Sequence, residues 1–334
     1  MTENDFNPTK FKFKHLPRLL IETYKKWNAQ DPFRLAAALA YYAILSLPAF
    51  LIIIINTVGF IWGVDIVQGR LTDEISKALG QDTASTIQTI IANTQNDHRN
   101  TISTIIGIGT LIFGASGIFY QLQASLNTIW GIRVDPGAGL KKFILDRVIS
   151  FGFVLAIGFL LLISFMLTTA ISLFTQSIAA ALGETAIYVS FLFDITISLG
   201  IITVLFALMF KYLPDAQIEW RTVWIGAFIT ACLFVLGKFL LGLYFGKANP
   251  GSTYGAAGSV VLVLLWVSYS AVIFFFGAEF TFIYAKYYGI KISPKSNAVR
   301  VHTHEVIMEK GEDVIKKEKR NSNQDENKRP DKDT

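Results

Sequence analysis

Six long apolar stretches constrain the fold of this 334-residue chain more than any other feature. A helix needs about 20 apolar residues to cross the roughly 30 Å hydrocarbon core of a bilayer, and each stretch is close to that length or longer. Helices are the expected form because backbone groups in lipid must satisfy one another. We therefore predict an all-α polytopic membrane protein with six transmembrane helices. The predicted spans cover about residues 35–62, 101–119, 148–174, 186–210, 223–245 and 255–284.

The composition agrees with a membrane protein. Hydrophobic residues make up 52% of the chain and charged residues 16%, and the mean hydropathy is +0.45. Soluble domains carry roughly 25% charged residues, so this balance argues against a soluble enzyme or a nucleic-acid module. The single cysteine, Cys232, excludes a disulfide scaffold. We expect no cleavable signal peptide, because the first 34 residues are polar and the first apolar run is longer than a signal sequence needs.

The distribution of lysine and arginine predicts the orientation. Basic residues concentrate before the first span, in the 120–147 and 211–222 connections and just after the sixth span. The 63–100, 175–185 and 246–254 connections carry few. Cytoplasmic loops of membrane proteins are enriched in Lys and Arg, so both termini are predicted to lie in the cytoplasm.

Three regions follow from this reading. Residues 1–34 form a basic amphipathic cytoplasmic segment, expected to lie as a helix along the anionic leaflet. Residues 35–285 form the six-helix transmembrane domain, and residues 286–334 form a charged tail that we expect to be disordered. The 63–100 loop has helical spacing interrupted by Gly80, with Asp82 as a candidate cap. It predicts two short amphipathic helices in the first outer loop, acting as a packed lid or as a gate.

Charged residues inside the predicted spans are candidate functional residues. Each costs about 2.5–3.5 kcal/mol at a helix centre and needs a partner or a wet surface. Asp194 and Lys238 lie at similar distances from the outer ends of their helices, so they are candidate partners. Glu279 lies near the inner end of the sixth span and needs another partner, such as Arg34, Arg147 or a helix N-terminus. Three roles are open for these charges. They form structural pairs that hold the bundle, they line a polar pathway for a substrate or proton, or their side chains reach to the membrane interface.

Glycine and proline positions predict close packing and a bend. Gly242 and Gly246 are four residues apart, as are Gly251 and Gly255, a spacing that allows helices to approach within one chain or between protomers. Pro48 within the first span removes a backbone hydrogen bond and should bend the helix. The turn at 249–251 should make the last two spans antiparallel neighbours.

Nothing in the sequence indicates catalytic chemistry. None of the four histidines lies in a predicted span, and hydrolase, zinc-protease and P-loop motifs are absent from the sequence. His302 and His304 alone are a weak metal-ligand set. The tail balances 12 basic with 9 acidic residues over 286–334, which argues against a nucleic-acid arm. We therefore expect no enzyme activity, no metal, no cofactor and no nucleic-acid partner; membrane lipids and a second copy of the chain are the partners considered.

Several motifs together resemble one bacterial family. They are Ala36–Ala43 (AAALAYYA), Gly114–Phe119 (GASGIF) with Gln121, Gln123, Leu126-Asn127 and Ile129-Trp130-Gly131, Tyr212-Leu213-Pro214, Gly226-Ala227, Leu236-Gly237-Lys238, Tyr244, Tyr254–Ser259 (YGAAGS), Leu265-Trp266-Val267 and Gly277–Phe280 (GAEF). In order and spacing they are similar to the YihY/virulence factor BrkB family of inner-membrane proteins, over roughly residues 31–285. The resemblance implies six spans in the bacterial inner membrane and a molecular activity that is poorly established.

Two functions are compatible with the resemblance and the residues. The preferred hypothesis is a transporter or lipid-handling protein for an anionic or envelope-lipid substrate, with Asn127, Lys238 and Glu279, and Asp194 as a further candidate, lining a polar pathway. The alternative is a non-transporting membrane scaffold that forms homo-oligomers. Members of the family have also been labelled ribonuclease BN, a tRNA-processing activity, but the residues here supply no ligand cluster for a zinc-dependent nuclease.

Overall fold

The computed structural model describes most of residues 13–301. It covers residues 13–96, 117–134, 185–248, 254, 257–296 and 298–301, together with isolated helical residues between 148 and 163. The predicted second span lies almost entirely outside these residues, and most of the predicted third span does too. Both stay predictions.

Helices make up most of the described residues. A short 3-10 turn (Phe13–His15) precedes α1. The helices are α1 (Leu16–Asn28), α2 (Pro32–Trp62), α3 (Val64–Leu79), α4 (Gln81–Asn96), α5 (117–129), α6 (Thr185–Tyr212), α7 (Trp220–Ala248) and α8 (Gly258–Tyr287). The connection between α1 and α2 is a tight turn in which Asp31 adopts a left-handed backbone (φ 50°) and Pro32 starts α2. Aspartate tolerates that conformation better than most residues, and proline is favoured at the first helical position.

Within the described part of the chain, three helices are long and apolar enough to cross a membrane. They are Ile195–Tyr212 within α6, Trp220–Phe245 within α7 and Gly258–Tyr287, which is α8. They match the fourth, fifth and sixth predicted spans. In α2, the arms Pro32–Leu47 and Phe50–Ile61 meet at a bend of 56°, at the position of Pro48, and together they have the length and apolar character of a broken span or a re-entrant loop.

The contact between α7 and α8 is built on two glycine–threonine pairs. Thr281 lies against Gly226, and Thr230 lies against Gly277, so closely that a Cβ on either glycine would come within 1.8 Å of a threonine hydroxyl oxygen. Each hydroxyl donates to the carbonyl four residues earlier on its own helix, at 2.6 Å for Thr230 and 2.7 Å for Thr281. This satisfies the hydroxyl without a partner across the interface. Residue numbers rise along α7 as they fall along α8, so the two helices are antiparallel neighbours, as the short connection predicts.

Helix α1 runs antiparallel to the last turns of α8. His15 Nδ1 lies 3.0 Å from the Tyr288 hydroxyl at one end, and the Trp27 ring lies 5.8 Å from the Phe276 ring at the other. Between them Leu19 is fully buried in a cluster on α8. The amphipathic helix is therefore present as predicted, but its apolar stripe packs on protein. Ile21 and Tyr24 of α1 remain exposed, and the expectation that the helix lies along the leaflet stays a prediction.

Helices α3 and α4 are the two short helices predicted for the 63–100 loop. They are separated by Gly80, whose φ of 90° favours glycine. Both helices contact α2 and α8, and Leu79, Ile87 and Ile91 are buried. Helix α4 begins at Gln81, so Asp82 lies within its first turn instead of capping it.

Two short antiparallel ribbons correct the predicted start of the tail. Residues Ile132–Val134 (β1) pair with Ala298–Arg300 (β4), and Ala216–Gln217 (β2) pair with Ser293–Pro294 (β3). Helix α8 itself continues to Tyr287. The residues just after the sixth span, up to 300, are therefore part of the folded unit, and residues 302–334 lie outside the described residues. Local composition could not show this, because the strand partners are far away in sequence.

Candidate functional site

A buried carboxylate near the end of α8 is the centre of the first polar cluster. Glu279 is 0% exposed. Its Oε2 accepts a hydrogen bond from Gln30 Nε2 at 3.1 Å, and its Oε1 lies 3.9 Å from Lys26 Nζ. Both partners belong to α1 and the turn that follows it. The sequence predicted that Glu279 needs a partner but named Arg34, Arg147 or a helix N-terminus; the structure supplies Lys26 and Gln30 instead.

Gln30 connects three segments of the chain. Besides bonding Glu279, its Nε2 lies 3.4 Å from the carbonyl oxygen of Ile129, at the end of α5. The next residue, Trp130, is buried, and its indole Nε1 donates to the carbonyl of Ala278 at 3.0 Å. The turn after α1, the end of α5 and the last part of α8 are therefore held together by side-chain hydrogen bonds.

A second polar cluster surrounds Asp215, in the connection between α6 and α7. This residue is 3% exposed. Its Oδ2 accepts from Asn127 Nδ2 at 2.9 Å and from Gln123 Nε2 at 3.1 Å, and its backbone N–H donates to Asn127 Oδ1 at 2.8 Å. Its carbonyl accepts from the Lys295 backbone N–H at 2.9 Å. Asn127 is thus held on both sides by one residue. We call Gln30, Asn127, Asp215 and Glu279 together the polar end of the bundle.

Lys238 lies in a different environment, on the exposed side of α7. The side chain is exposed, as are the adjacent Phe239 and Leu240 and, one turn later, Gly242. Among the residues that the structure describes, no hydrogen bond or ion pair involves Lys238. A Cβ added to Gly242 would meet no atom within 4 Å. We call these four residues the open face. The structure does not bring Lys238 together with Asn127 or Glu279.

The remaining candidates are only partly described. Asp194 belongs to α6, but its side chain lies outside the described part, so the Asp194–Lys238 pair stays a prediction. Gly246 belongs to α7, but its surroundings lie outside the described part, as does Gly255 altogether. Close packing within the chain occurs at glycines that the sequence reading did not select, Gly226 and Gly277.

Sequence reasoning missed Lys26, Gln30, Gln123 and Asp215. It searched the apolar spans for charge, whereas Lys26, Gln30 and Asp215 lie near or beyond helix ends and Gln123 is a neutral amide within α5. One signal was available for Asp215: it is an acid directly after Tyr212-Leu213-Pro214, a motif that carried the family resemblance. No comparable signal marked Gln30, because a neutral amide before a turn is ordinary.

Metal binding has no support in the described residues. No group of three or more His, Cys, Asp or Glu side chains comes together there. His302 and His304 lie outside the described residues.

Comparisons with known proteins agree with the membrane architecture. A "UPF0761 membrane protein" of Saccharophagus degradans is 28% identical over 267 residues, covering 79% of this chain and 59% of that protein. A protein with the same name from Azotobacter vinelandii is 26% identical over 262 residues, covering 77% of this chain and 60% of its own length. The chain thus spans less than two thirds of these relatives.

No solved structure matches the chain. The family described as Virulence factor BrkB matches residues 23–301, which include every described helix except the start of α1. The chain therefore belongs to the Virulence factor BrkB family and is an integral membrane protein.

Proposed function

We propose that the protein spans the bacterial inner membrane six times, with both termini in the cytoplasm, and binds and moves an anionic envelope lipid. The observation that carries the lipid part is the open face, where a lysine stands on the apolar, exposed side of a membrane-spanning helix. Such a charge is costly in lipid unless it finds an anion, a partner chain or water. The phosphate of a lipid headgroup supplies the anion.

The position of Lys238 fits a phosphate drawn into the outer half of the bilayer. It lies 10 residues before the end of α7 at Ala248, or about 15 Å along the helix axis. One turn closer to that end, Gly242 has no side chain and leaves room beside the lysine. Phe239 and Leu240, the next two residues, are also exposed, about 100° and 200° further round α7, so an apolar surface for acyl chains continues around the helix. The combination suits an amphiphile with a small anionic head.

The contacts at the polar end support the proposed topology. The segments that carry most of the basic residues are the N-terminal segment, the end of α5, the connection between α6 and α7, and the stretch after α8. Gln30, Asn127, Asp215 and the two ribbons join these segments to one another. Segments joined in this way must share one side of the membrane, and their lysines and arginines favour the cytoplasmic side.

The test of the lipid proposal compares variants of Lys238 with a matched lysine. Lys238→Ala, Lys238→Arg and Lys286→Ala are purified and reconstituted, and leaflet-to-leaflet transfer of a labelled anionic phospholipid is measured against a zwitterionic one. Lys286 is exposed at the end of α8, away from the open face. We expect Lys238→Ala to lose transfer of the anionic lipid while Lys238→Arg and Lys286→Ala keep it. Wild-type transfer by Lys238→Ala contradicts the proposal.

The topology has its own test. A reporter that is active only outside the cytoplasm is fused after residue 301 and, in a second fusion, within the 63–100 loop. The six-span proposal expects activity from the loop fusion alone. Activity from the fusion after 301 overturns it.

A membrane scaffold is the second candidate, and a specific observation favours it. Glu279 and Asp215 have hydrogen-bond partners within the chain, which is what structural charges require. The open space at Gly242 suits close approach by a helix of a second copy. If the protein is a scaffold, Gly242→Leu should abolish a homo-oligomer that cross-linking detects in native membranes. In the transfer assay, neither wild type nor Lys238→Ala should then move lipid faster than protein-free vesicles do.

A further inference from the structure

We propose that α1 and α8 enclose a binding site for one small protic molecule, of which water is the cellular representative, between Trp27, Gln30 and Glu279. The site is independent of the lipid proposal, since it lies at the polar end and does not involve Lys238. It rests on three buried polar atoms that have no hydrogen-bond partner among the described residues. They are Trp27 Nε1, Gln30 Oε1 and Glu279 Oε1.

These three atoms belong to side chains that are already in contact. Gln30 Nε2 bonds Glu279 Oε2 at 3.1 Å, which places the other oxygen of each group nearby. The backbone N–H of Gln30 bonds the carbonyl of Trp27 at 3.1 Å, so Gln30 lies in the turn that folds back on the last turn of α1, where Trp27 lies. The Trp27 ring contacts Phe276, one turn before Glu279 on α8. The three side chains therefore line the same stretch of the α1–α8 contact.

The chemistry of the three atoms defines the ligand. The indole N–H is a donor only, whereas the amide oxygen and the carboxylate oxygen are acceptors. A molecule that accepts one hydrogen bond and donates two satisfies all of them. Buried waters make about three hydrogen bonds to polar groups that the protein leaves unpaired. Buried polar atoms without any partner are rare in folded proteins, so a ligand of this kind is the expected resolution.

Lys26 is close to the site but does not complete it. Its Nζ lies 3.9 Å from Glu279 Oε1, beyond the length of a direct hydrogen bond. The ammonium is also 4.6 Å from the centre of the Phe282 ring, and the side chain is 45% exposed. It compensates the carboxylate charge from a distance and leaves the amide oxygen of Gln30 and the indole of Trp27 without partners. The bound molecule thus joins α1 to α8 where the protein atoms do not meet directly.

The direct test is a map of the full chain in lipid nanodiscs at a resolution that shows ordered water. We expect a peak within about 3.2 Å of all three atoms. Two results overturn the proposal. One is a map without a peak in which Lys26 Nζ has moved to bond Glu279 Oε1. The other is an infrared band of a protonated carboxyl, removed by Glu279→Gln, together with a map without a peak in which Glu279 Oε1 lies within hydrogen-bond distance of Gln30 Oε1, so that the carboxyl O–H donates to the amide oxygen.

A solution experiment tests whether the bound molecule holds α1 in place. Replacing Trp27 by 3-benzothienylalanine keeps the bicyclic ring beside Phe276 and exchanges only the N–H donor for sulfur. We expect amide hydrogen exchange in α1 to rise by about tenfold, the equivalent of one net hydrogen bond. Trp224→Phe removes an exposed indole N–H from α7 and is the control, for which we expect no change in α1. Equal exchange in α1 for the two variants contradicts the proposal.

Discussion

The polar end and the open face treat a charged side chain in opposite ways. At the polar end, Asp215 and Glu279 are almost fully buried, and each accepts hydrogen bonds from amide side chains of distant segments. On the open face, Lys238 is exposed beside apolar side chains, with no partner among the described residues. A buried charge with partners fixes the positions of the segments that supply them. An exposed charge on a spanning helix is free to meet a ligand from outside the chain.

The difference shows that charge in an apolar sequence is not one signal. Burying Asp215 and Glu279 costs free energy, but hydrogen bonds from their partners offset that cost in the folded state. The same hydrogen bonds fix which segments pack together. No described residue offsets the cost of the Lys238 charge. The offsetting interaction therefore comes from lipid, from a second copy or from a part of the chain that is not described. Four substitutions separate these cases.

The largest effect is expected at Asp215. Asp215→Ala removes the acceptor of two amide hydrogen bonds and leaves the buried Asn127 and the half-buried Gln123 without it. Hydrogen bonds to a charged group contribute about 1.5–3 kcal/mol each, so we expect the free energy of unfolding to fall by about 3 kcal/mol. Reversible unfolding in mixed micelles measures it. Glu219→Ala, which changes an exposed acid in the same connection, is the control and should change stability by less than about 0.5 kcal/mol.

The next effect is expected where the α7–α8 contact is tightest. Gly277→Ala places a Cβ 1.8 Å from Thr230 Oγ1 and 2.7 Å from Thr230 Cβ, so the helices must separate. Overpacking costs about 1–3 kcal/mol, and we expect a loss of about 2 kcal/mol. Gly242→Ala makes the same chemical change on the open face, where nothing lies within 4 Å. A similar loss of unfolding free energy from both variants would show that Gly242 is also packed against another group. The open face would then be a packed surface, like the α7–α8 contact.

Sequence reasoning succeeded where the signal is local. Long apolar runs predicted α6, α7 and α8 to within a few residues, and Gly80 separates the two helices of the 63–100 loop as expected. Local pattern does not contain the partners of Glu279 or Asp215, because those partners lie 249 and 88 residues away in sequence. Likewise Gly226 and Gly277 are ordinary helix glycines until α7 and α8 are placed side by side. The position of a buried charge is predictable from sequence, but its partner is a tertiary property.

A moderate effect is expected at Gln30. Gln30→Leu removes the donor to Glu279 Oε2 and to the Ile129 carbonyl while keeping a similar volume. We expect a loss of about 1.5 kcal/mol, because Lys26 remains to compensate part of the carboxylate charge. Asn28→Leu, at an exposed position two residues earlier, is the control. If Gln30→Leu is as stable as wild type, Glu279 is held by other groups and Gln30 is not the connection between α1, α5 and α8.

The smallest effect is expected at Lys238, and it decides what the open face is. Lys238→Leu should change the free energy of unfolding by no more than about 0.5 kcal/mol, since no described residue loses a partner. A loss of about 2 kcal/mol or more would mean that Lys238 is paired inside the chain. Asp194 is the residue to test in that case, with Asp194→Asn and the double variant completing a mutant cycle. A coupling energy above about 0.5 kcal/mol would assign the pair, since independent sites add within that margin. Lys238 would then be a structural charge like Glu279, and the lipid proposal would lose the observation that carries it.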